Sequence, residues 1–73
     1  IRIAFTLPSG APATLDLFDV SGRLVVRRQV GPLGAGPHVV TLVDDPRRLA
    51  SGIYFLRLRQ APRELHNRVV YVK

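Results

Sequence analysis

The residues that could take part in catalysis are few, and none stands in a recognisable motif. Ser9, Ser21 and Ser51 each lie beside a glycine in a predicted turn. A nucleophilic serine needs a base within hydrogen-bond reach and an acid behind that base. The two histidines, His38 and His66, open a predicted strand and lie in a polar connection, respectively. We therefore expect structural roles for both histidines and a protein that is not an enzyme.

The carboxylates make only a weak case for a metal site. Asp44 and Asp45 could offer oxygens to calcium, with help from Asp16 or Asp19. However, Asp45 also fits the N-cap of a short helical turn with Pro46 at its first position, and Asp19 fits a hairpin turn. Neither EF-hand spacing nor a histidine pair is present, and no lysine or helix follows the glycine-rich "GPLGAG". We expect neither a metal nor a cofactor.

The chain is basic, with a formal net charge of +6, and its only lysine is Lys73. A basic domain invites a nucleic-acid hypothesis. The arginines are scattered along the chain, however, and aromatic residues do not alternate with them as an RNA-binding sheet would require. We expect no nucleic-acid function, only weak binding that moderate salt abolishes.

Length and composition indicate one small domain. Seventy-three residues with 47% hydrophobic content can bury a modest core, and the absence of cysteine excludes disulfides and thiolate metal sites. No apolar run of about 18 residues is present, so no membrane-spanning helix is expected. The chain begins at Ile1 without a charged and apolar leader, and we interpret residues 1–73 as a single domain cut from a longer protein.

The apolar residues recur with a period of two, which predicts strands. Six segments show this alternation, and turns separate them. The segment "APRELHN" is predicted to be a polar connection before a last strand from Arg68 to Val72. The pattern predicts an all-β fold, a small antiparallel sandwich of six or seven strands. Its expected core is Ile3, Phe5, Leu15, Leu17, Val25, Val40, Leu42, Leu49, Tyr54, Leu56, Leu58 and Val70.

Two short segments carry specific turn predictions. In "DVSGR", Asp19 and Gly22 fit the first and fourth positions of a type I hairpin turn in which Gly22 takes a positive φ. In "LASGIYFLRL", Gly52 is expected to end a helical turn in the left-handed conformation. Tyr54 should then point into the core with its hydroxyl near a partner. Arg57 and Arg59, later in this strand, should be exposed charges that contribute little to stability.

Five segments together resemble one family. "IAFTLP", "LDLFDVSGRLV", "LGAGPHVVTL", "LASGIYFLRL" and "VVYVK" occur in the order and spacing of the type A C-terminal sorting domain of type IX secretion cargo. The resemblance covers essentially the whole chain. Its most specific parts are Asp19 with Gly22 and Arg23 in the hairpin, Gly52 and Tyr54 after a leucine-bearing turn, and the terminal Lys73.

The resemblance implies an immunoglobulin-like sandwich with no chemistry of its own. Such a domain directs its parent protein through the type IX translocon across the outer membrane, to the cell surface or the medium. A sortase-like peptidase often removes the domain and attaches the cargo to anionic surface lipopolysaccharide. The sorting-motif candidates in this chain are then Gly52, Tyr54 and Lys73, and the Pro-Asn-Pro element that usually precedes the first strand of the family is not seen.

A second family shares part of the pattern. The immunoglobulin-like domain of flagellar hook-capping proteins has similar hairpin and Gly-x-Tyr segments, but it typically carries a Trp-Asp-Gly segment and a longer connection after the fourth strand. This chain has no tryptophan, and "LVDDPRRLASG" is short. A hook-cap-like or generic immunoglobulin-like module, appended to a larger extracellular protein, is the alternative.

Overall fold

Alternating apolar residues form six strands, which a computed structural model of the chain describes over residues 1–43, 47 and 49–72. The strands are β1 (Arg2–Leu7), β2 (Thr14–Asp19), β3 (Leu24–Gln29), β4 (Gly36–Thr41), β5 (Gly52–Gln60) and β6 (Arg63–Tyr71), with a 3-10 turn at Gly31–Leu33. All strand pairs are antiparallel. The predicted antiparallel β-sandwich is confirmed.

The two sheets differ in width. The small sheet contains β1 and β4, whereas the large sheet has the order β3-β2-β5-β6. The central strands β2 and β5 carry most of the buried residues of the large sheet, and the flanking strands β3 and β6 are mainly exposed. The small sheet therefore covers the middle of the large sheet and leaves both flanks with little cover.

The core lies between the sheets and agrees in large part with the sequence. Its buried hydrophobic residues are Leu7, Ala13, Leu15, Leu17, Val30, Leu42, Leu49 and Tyr54. Five other expected core residues are half-buried and pack against this cluster: Ile3, Phe5, Val40, Leu56 and Leu58. Leu7, Ala13 and Val30 were not expected in the core.

The prediction is wrong for two of the expected core residues, and in each case the residue next in sequence to it packs against the core instead. Val25 and Val70 are exposed by 36% and 65%, whereas Val26 and Val69 pack against the core. Val26 pairs with Leu17 and Val69 with Tyr54, and paired residues share a face of the sheet. Both errors fall in apolar runs, "LVV" and "VVYV", where the sequence offers no alternation to define the face.

The last strand begins earlier than expected. β6 starts at Arg63, so most of "APRELHN" is strand, and only Ala61 and Pro62 connect β5 to β6. The charges of this segment favour a loop when the sequence is considered alone. They are compatible with a strand because β6 is the edge of the large sheet, where charged side chains reach water.

Two residues, Gln60 and Gly31, hold the loop between β1 and β2 in place. Gln60, buried at the end of β5, donates from Nε2 to the carbonyl oxygens of Ser9 and Ala11, at 3.1 and 2.8 Å. Gly31 is buried against the same loop, and a Cβ there would lie 2.8 Å from the Ala13 backbone nitrogen. Only glycine fits this close approach of two backbones.

Candidate functional site

The segments on which the resemblance rests meet at one end of the sandwich, which we call the motif end. Asp19 at the end of β2 pairs with Tyr54 of β5, and Gly52 at the start of β5 pairs with Tyr71 at the end of β6. The hairpin turn, the Gly-x-Tyr segment and the last strand therefore share this end. Lys73 lies outside the described residues.

The hairpin turn is held by the carboxylate of Asp19. Its Oδ1 accepts hydrogen bonds from the Ser21 amide, the Ser21 hydroxyl and the Arg23 amide, at 3.0, 2.6 and 2.9 Å. Gly22 has a φ of 88°, as predicted, and the register of β2 and β3 shifts beside the turn between Leu17 and Phe18. These contacts assign Asp19, Ser21 and Gly22 to the structure of the turn.

These hydrogen bonds also stabilise the charged form of Asp19. The Ser21 hydroxyl makes the largest contribution, the Arg23 amide follows, and together they hold the pKa of the Asp19 carboxyl below its ordinary value. The Arg23 guanidinium adds a contact of 3.3 Å from Nε to Oδ2. Since the Arg23 side chain is 83% exposed, most of it remains accessible to a partner.

Tyr54 has the role that the sequence indicated. Its ring is buried, and its hydroxyl donates a 2.7 Å hydrogen bond to the carbonyl oxygen of Ala50. Leu49 is also buried, as expected of a residue that closes one end of the core. Tyr54 thus anchors the connection that precedes β5 to the core.

The expectation for Gly52 is wrong. Gly52 is the first residue of β5, and positive φ values occur among the described glycines only at Gly22, Gly34 and Gly36. A Cβ at Gly52 would meet nothing within 4 Å. Neither backbone conformation nor crowding within the domain explains a glycine here. Asp45 and Pro46, the expected start of the helical turn, lie outside the described residues.

A cavity of about 590 Å³ opens at the motif end. Asp19, Arg23, Gly52 and Tyr54 are among the residues that line it. Its wall also includes apolar side chains that remain exposed: Val20 at 73%, Leu24 at 42%, Val25 at 36% and Ile53 at 40%. Exposed apolar side chains beside a single arginine are features of a protein-binding surface.

The catalytic candidates do not come together around this cavity. Ser21 and Ser51 line it, but His38 bonds through Nε2 to the Gly34 carbonyl, 2.7 Å away, and its ring lies 5.7 Å from that of Phe5. His66 lies on β6, 3.8 Å from Glu64. Ser9, in the loop after β1, accepts a hydrogen bond from the Ala11 amide.

A metal-binding cluster is likewise not found in the part of the chain that the structure describes, where no three histidine or acidic side chains are grouped. Asp16 and Asp19 are each bonded to arginine. Asp44 and Asp45 lie outside the described residues.

The outer face of the large sheet holds an ionic cluster that sequence reasoning missed. Asp16, whose side chain is fully buried, receives hydrogen bonds from Arg27 of β3 and Arg57 of β5. The Arg57 guanidinium also lies 4.9 Å from the Phe18 ring centroid and 3.7 Å from Glu64. Because Asp16 alternates with Leu15 and Leu17, the sequence indicates that its side chain points away from the core. Only the strand pairing shows which arginines flank it.

The arginines determine the charge of Asp16. Burial by itself raises the pKa of this carboxyl, but the hydrogen bonds and positive charges of Arg27 and Arg57 outweigh burial. The pKa of Asp16 is therefore lower than its ordinary value. Contrary to expectation, Arg57 is not a freely exposed charge, since its side chain is only 25% exposed.

Comparison with known proteins does not assign the chain to a family. No family model matches it, and no curated protein gives a significant match. Among the described residues, no helix has the length and apolar character that crossing a membrane requires.

Proposed function

We propose that this chain is a non-catalytic C-terminal sorting domain, which directs its parent protein through type IX secretion to the cell surface or the medium. The partners of such a domain are the translocon and a sortase-like peptidase. The observation that carries the proposal is the meeting of separate sequence segments at the motif end. One cavity is lined by the turn at Asp19–Arg23 and by the Gly52–Tyr54 segment, which pair with each other through Asp19 and Tyr54. The end of β6 joins this site because Tyr71 pairs with Gly52.

The arrangement supports recognition rather than catalysis. Asp19 and Tyr54 are engaged in structural hydrogen bonds, and Val20, Arg23 and Ile53 remain exposed around them. A folded domain that a partner recognises at this end needs a complementary surface and a few exposed contact residues, but no nucleophile or base. Gly52, for which the domain itself gives no structural reason, is then a place where a partner's backbone can approach closely.

The test is export of a reporter fused upstream of the domain in a host with type IX secretion. Val20→Glu and Ile53→Glu should each reduce export, because they place a charge on the proposed recognition surface. Leu33→Glu is the matched control. Leu33 is 49% exposed and follows β3 at the opposite end of the sandwich. Thermal melts of all three variants should match the parent, since each altered side chain is already substantially exposed.

The outcomes separate recognition from folding. Loss of export with the two motif-end variants, but not with the control, supports the proposal. Equal export from all three variants would reject the motif end as the recognised surface. Deletion of Lys73 alone, in a domain that still melts normally, tests the last residue independently: reduced export would include it in the signal, and unchanged export would remove it.

A further inference from the structure

The free edge of β1 is open for pairing with another strand. Ile1 accepts a backbone hydrogen bond from Leu42, and the register then places Ile3, Phe5 and Leu7 at the hydrogen-bonded positions opposite β4. The amide and carbonyl groups of Arg2, Ala4 and Thr6 therefore point away from β4. Among the described strands β1 pairs with β4 alone, so no described strand lies beside these groups.

The other strand of the small sheet is protected at its own edge. In β4 the outward positions are Pro37, Val39 and Thr41, which lie opposite Thr6, Ala4 and Arg2 in the register. Pro37 has no amide hydrogen, and proline on an edge strand prevents strand addition. β1 contains no proline and, beyond Arg2, no charged residue. The two edges of the small sheet thus differ in their capacity to accept a strand.

An apolar shelf lies beside the open edge. Leu65 pairs with Leu58 and faces the small sheet, but it is 66% exposed because the small sheet ends at β1. A groove of about 240 Å³ runs here between β1 and β6, and Leu7, Leu58 and Leu65 contribute to its lining. Farther along β6, Val69 faces the same way and is partly buried. One added strand would cover this shelf.

The charge at the groove indicates the chemistry of the added strand. Arg63 lines the groove and has no ion pair with any described residue. The chain itself carries a net charge of +6, so a second copy would bring repulsion to this site. An acidic side chain near one end of an incoming strand would instead be attracted to Arg63.

We propose that β1 and the shelf of β6 bind an extended peptide segment of a partner protein, with alternating apolar side chains and an acidic residue near Arg63. The segment adds to the small sheet as a third strand. Its backbone bonds to Arg2, Ala4 and Thr6, while its apolar side chains cover Leu65. Such strand addition takes affinity from the backbone and specificity from alternate side chains. This inference does not depend on the proposed function, because the site is distinct from the motif end.

The probe is an acetylated and amidated heptapeptide, Glu-Thr-Val-Thr-Val-Thr-Val, whose glutamate and valines share one face. Its binding to the 73-residue chain is measured by titration with hydrogen exchange as a second readout. We expect the amides of Arg2, Ala4 and Thr6 to exchange about tenfold more slowly with saturating peptide. Protection of the β3 or β6 edge instead, or no binding at millimolar peptide, would overturn the proposal.

Two proline variants test the edge itself. Ala4→Pro removes an outward amide of β1 and should abolish binding, whereas Val39→Pro removes the equivalent outward amide of β4 and should leave binding unchanged. Neither residue donates within the β1–β4 pair, so both variants should remain folded. Equal effects of the two substitutions on affinity would contradict strand addition at β1.

Two surface variants test the side chains without altering the backbone. Leu65→Glu should weaken peptide binding about tenfold through lost apolar contact and new repulsion. Arg63→Glu should reverse the preference between the peptide and its counterpart with lysine in place of glutamate. An unchanged preference would reject the role of Arg63. Sedimentation of the unliganded chain tests whether a second copy of the chain binds this edge instead. A dimer that Ala4→Pro dissociates would overturn the peptide proposal and assign the edge to dimerisation.

Discussion

Arg57 donates to the carboxylate of Asp16 through Nε and Nη2, at 3.2 and 2.8 Å, on the outer face of the large sheet. The two residues are 41 positions apart and face each other across β2 and β5. Because the Asp16 side chain is fully buried, its charge depends on Arg57 and Arg27 for compensation. A carboxylate in the middle of a sheet thus joins three strands.

Loss of Arg57 should destabilise the domain. Arg57→Met keeps much of the packing but removes two hydrogen bonds from a buried carboxylate, and we expect a loss of about 1–3 kcal/mol in the free energy of unfolding. Arg59→Met is the control, since Arg59 lies two residues away on the same face and is exposed; its effect should be within about 0.5 kcal/mol. Urea unfolding of both variants measures the difference, and equal losses would contradict the role of the pair.

The pH dependence of stability should reflect the two bonded carboxyls. The folded-state pKa values of Asp16 and Asp19 lie below the ordinary value of 3.8. Their contribution is therefore fully present above pH 3.8 and is lost as the pH falls through the folded-state values. Melting temperatures should be nearly constant above about pH 5 and fall below about pH 4.

Asp16→Asn provides the comparison for this pH dependence. The variant should be less stable than the parent at neutral pH and should lose less of its stability on acidification. Parallel acid curves for the two proteins would show that Asp16 does not contribute.

The positive φ of Gly22 makes a separate prediction. Gly22→Val should lower the free energy of unfolding by about 1 kcal/mol or more, because a β-branched residue resists this conformation. Gly10→Val is the control. Both glycines have open space where a Cβ would lie, but only Gly22 has a positive φ. Thermal melts in which the two variants behave alike would contradict the turn geometry.

Tyr54→Phe should lower the free energy of unfolding by about 1 kcal/mol. The substitution removes the hydrogen bond from the Tyr54 hydroxyl to the Ala50 carbonyl and leaves the ring in place. Tyr71→Phe removes a hydroxyl that has no hydrogen bond to the described residues and should have little effect. Tyr54→Ala should cost about 3 kcal/mol by leaving a cavity. Chemical unfolding measures all three, and a Tyr54→Phe variant as stable as the parent would reject the anchoring role of the hydroxyl.

The sequence predicts this fold where its local pattern is unambiguous. Leu15 and Leu17 alternate with polar residues, and both are buried as expected. Val25 and Val70 stand in unbroken apolar runs, where the face of a strand depends on its register with a neighbour. The buried Gly31 is a further case, because its requirement for glycine comes from the backbone of residues 11–13, far away in sequence.

The same distinction applies to the candidate site. The turn at Asp19 and Gly22 is local, and its geometry follows from four consecutive residues. The pairing of Asp16 with Arg27 and Arg57 depends on the order of the strands in the large sheet, which periodicity does not define. Sequence patterns therefore reveal turns and faces here, and long-range partners require the structure.

The position of the two ends of the chain has a mechanical consequence. Ile1 is bonded to Val43, which lines the cavity at the motif end, and Tyr71 pairs with Gly52 at the same end. A force that draws Ile1 and Tyr71 apart peels β1 and β6 from their neighbours, so that ladder bonds break one after another instead of together. Resistance to pulling is then set by this stepwise barrier rather than by the whole core. Pulling on both ends together is therefore expected to unfold the sandwich strand by strand, whereas heat is expected to disrupt the core cooperatively.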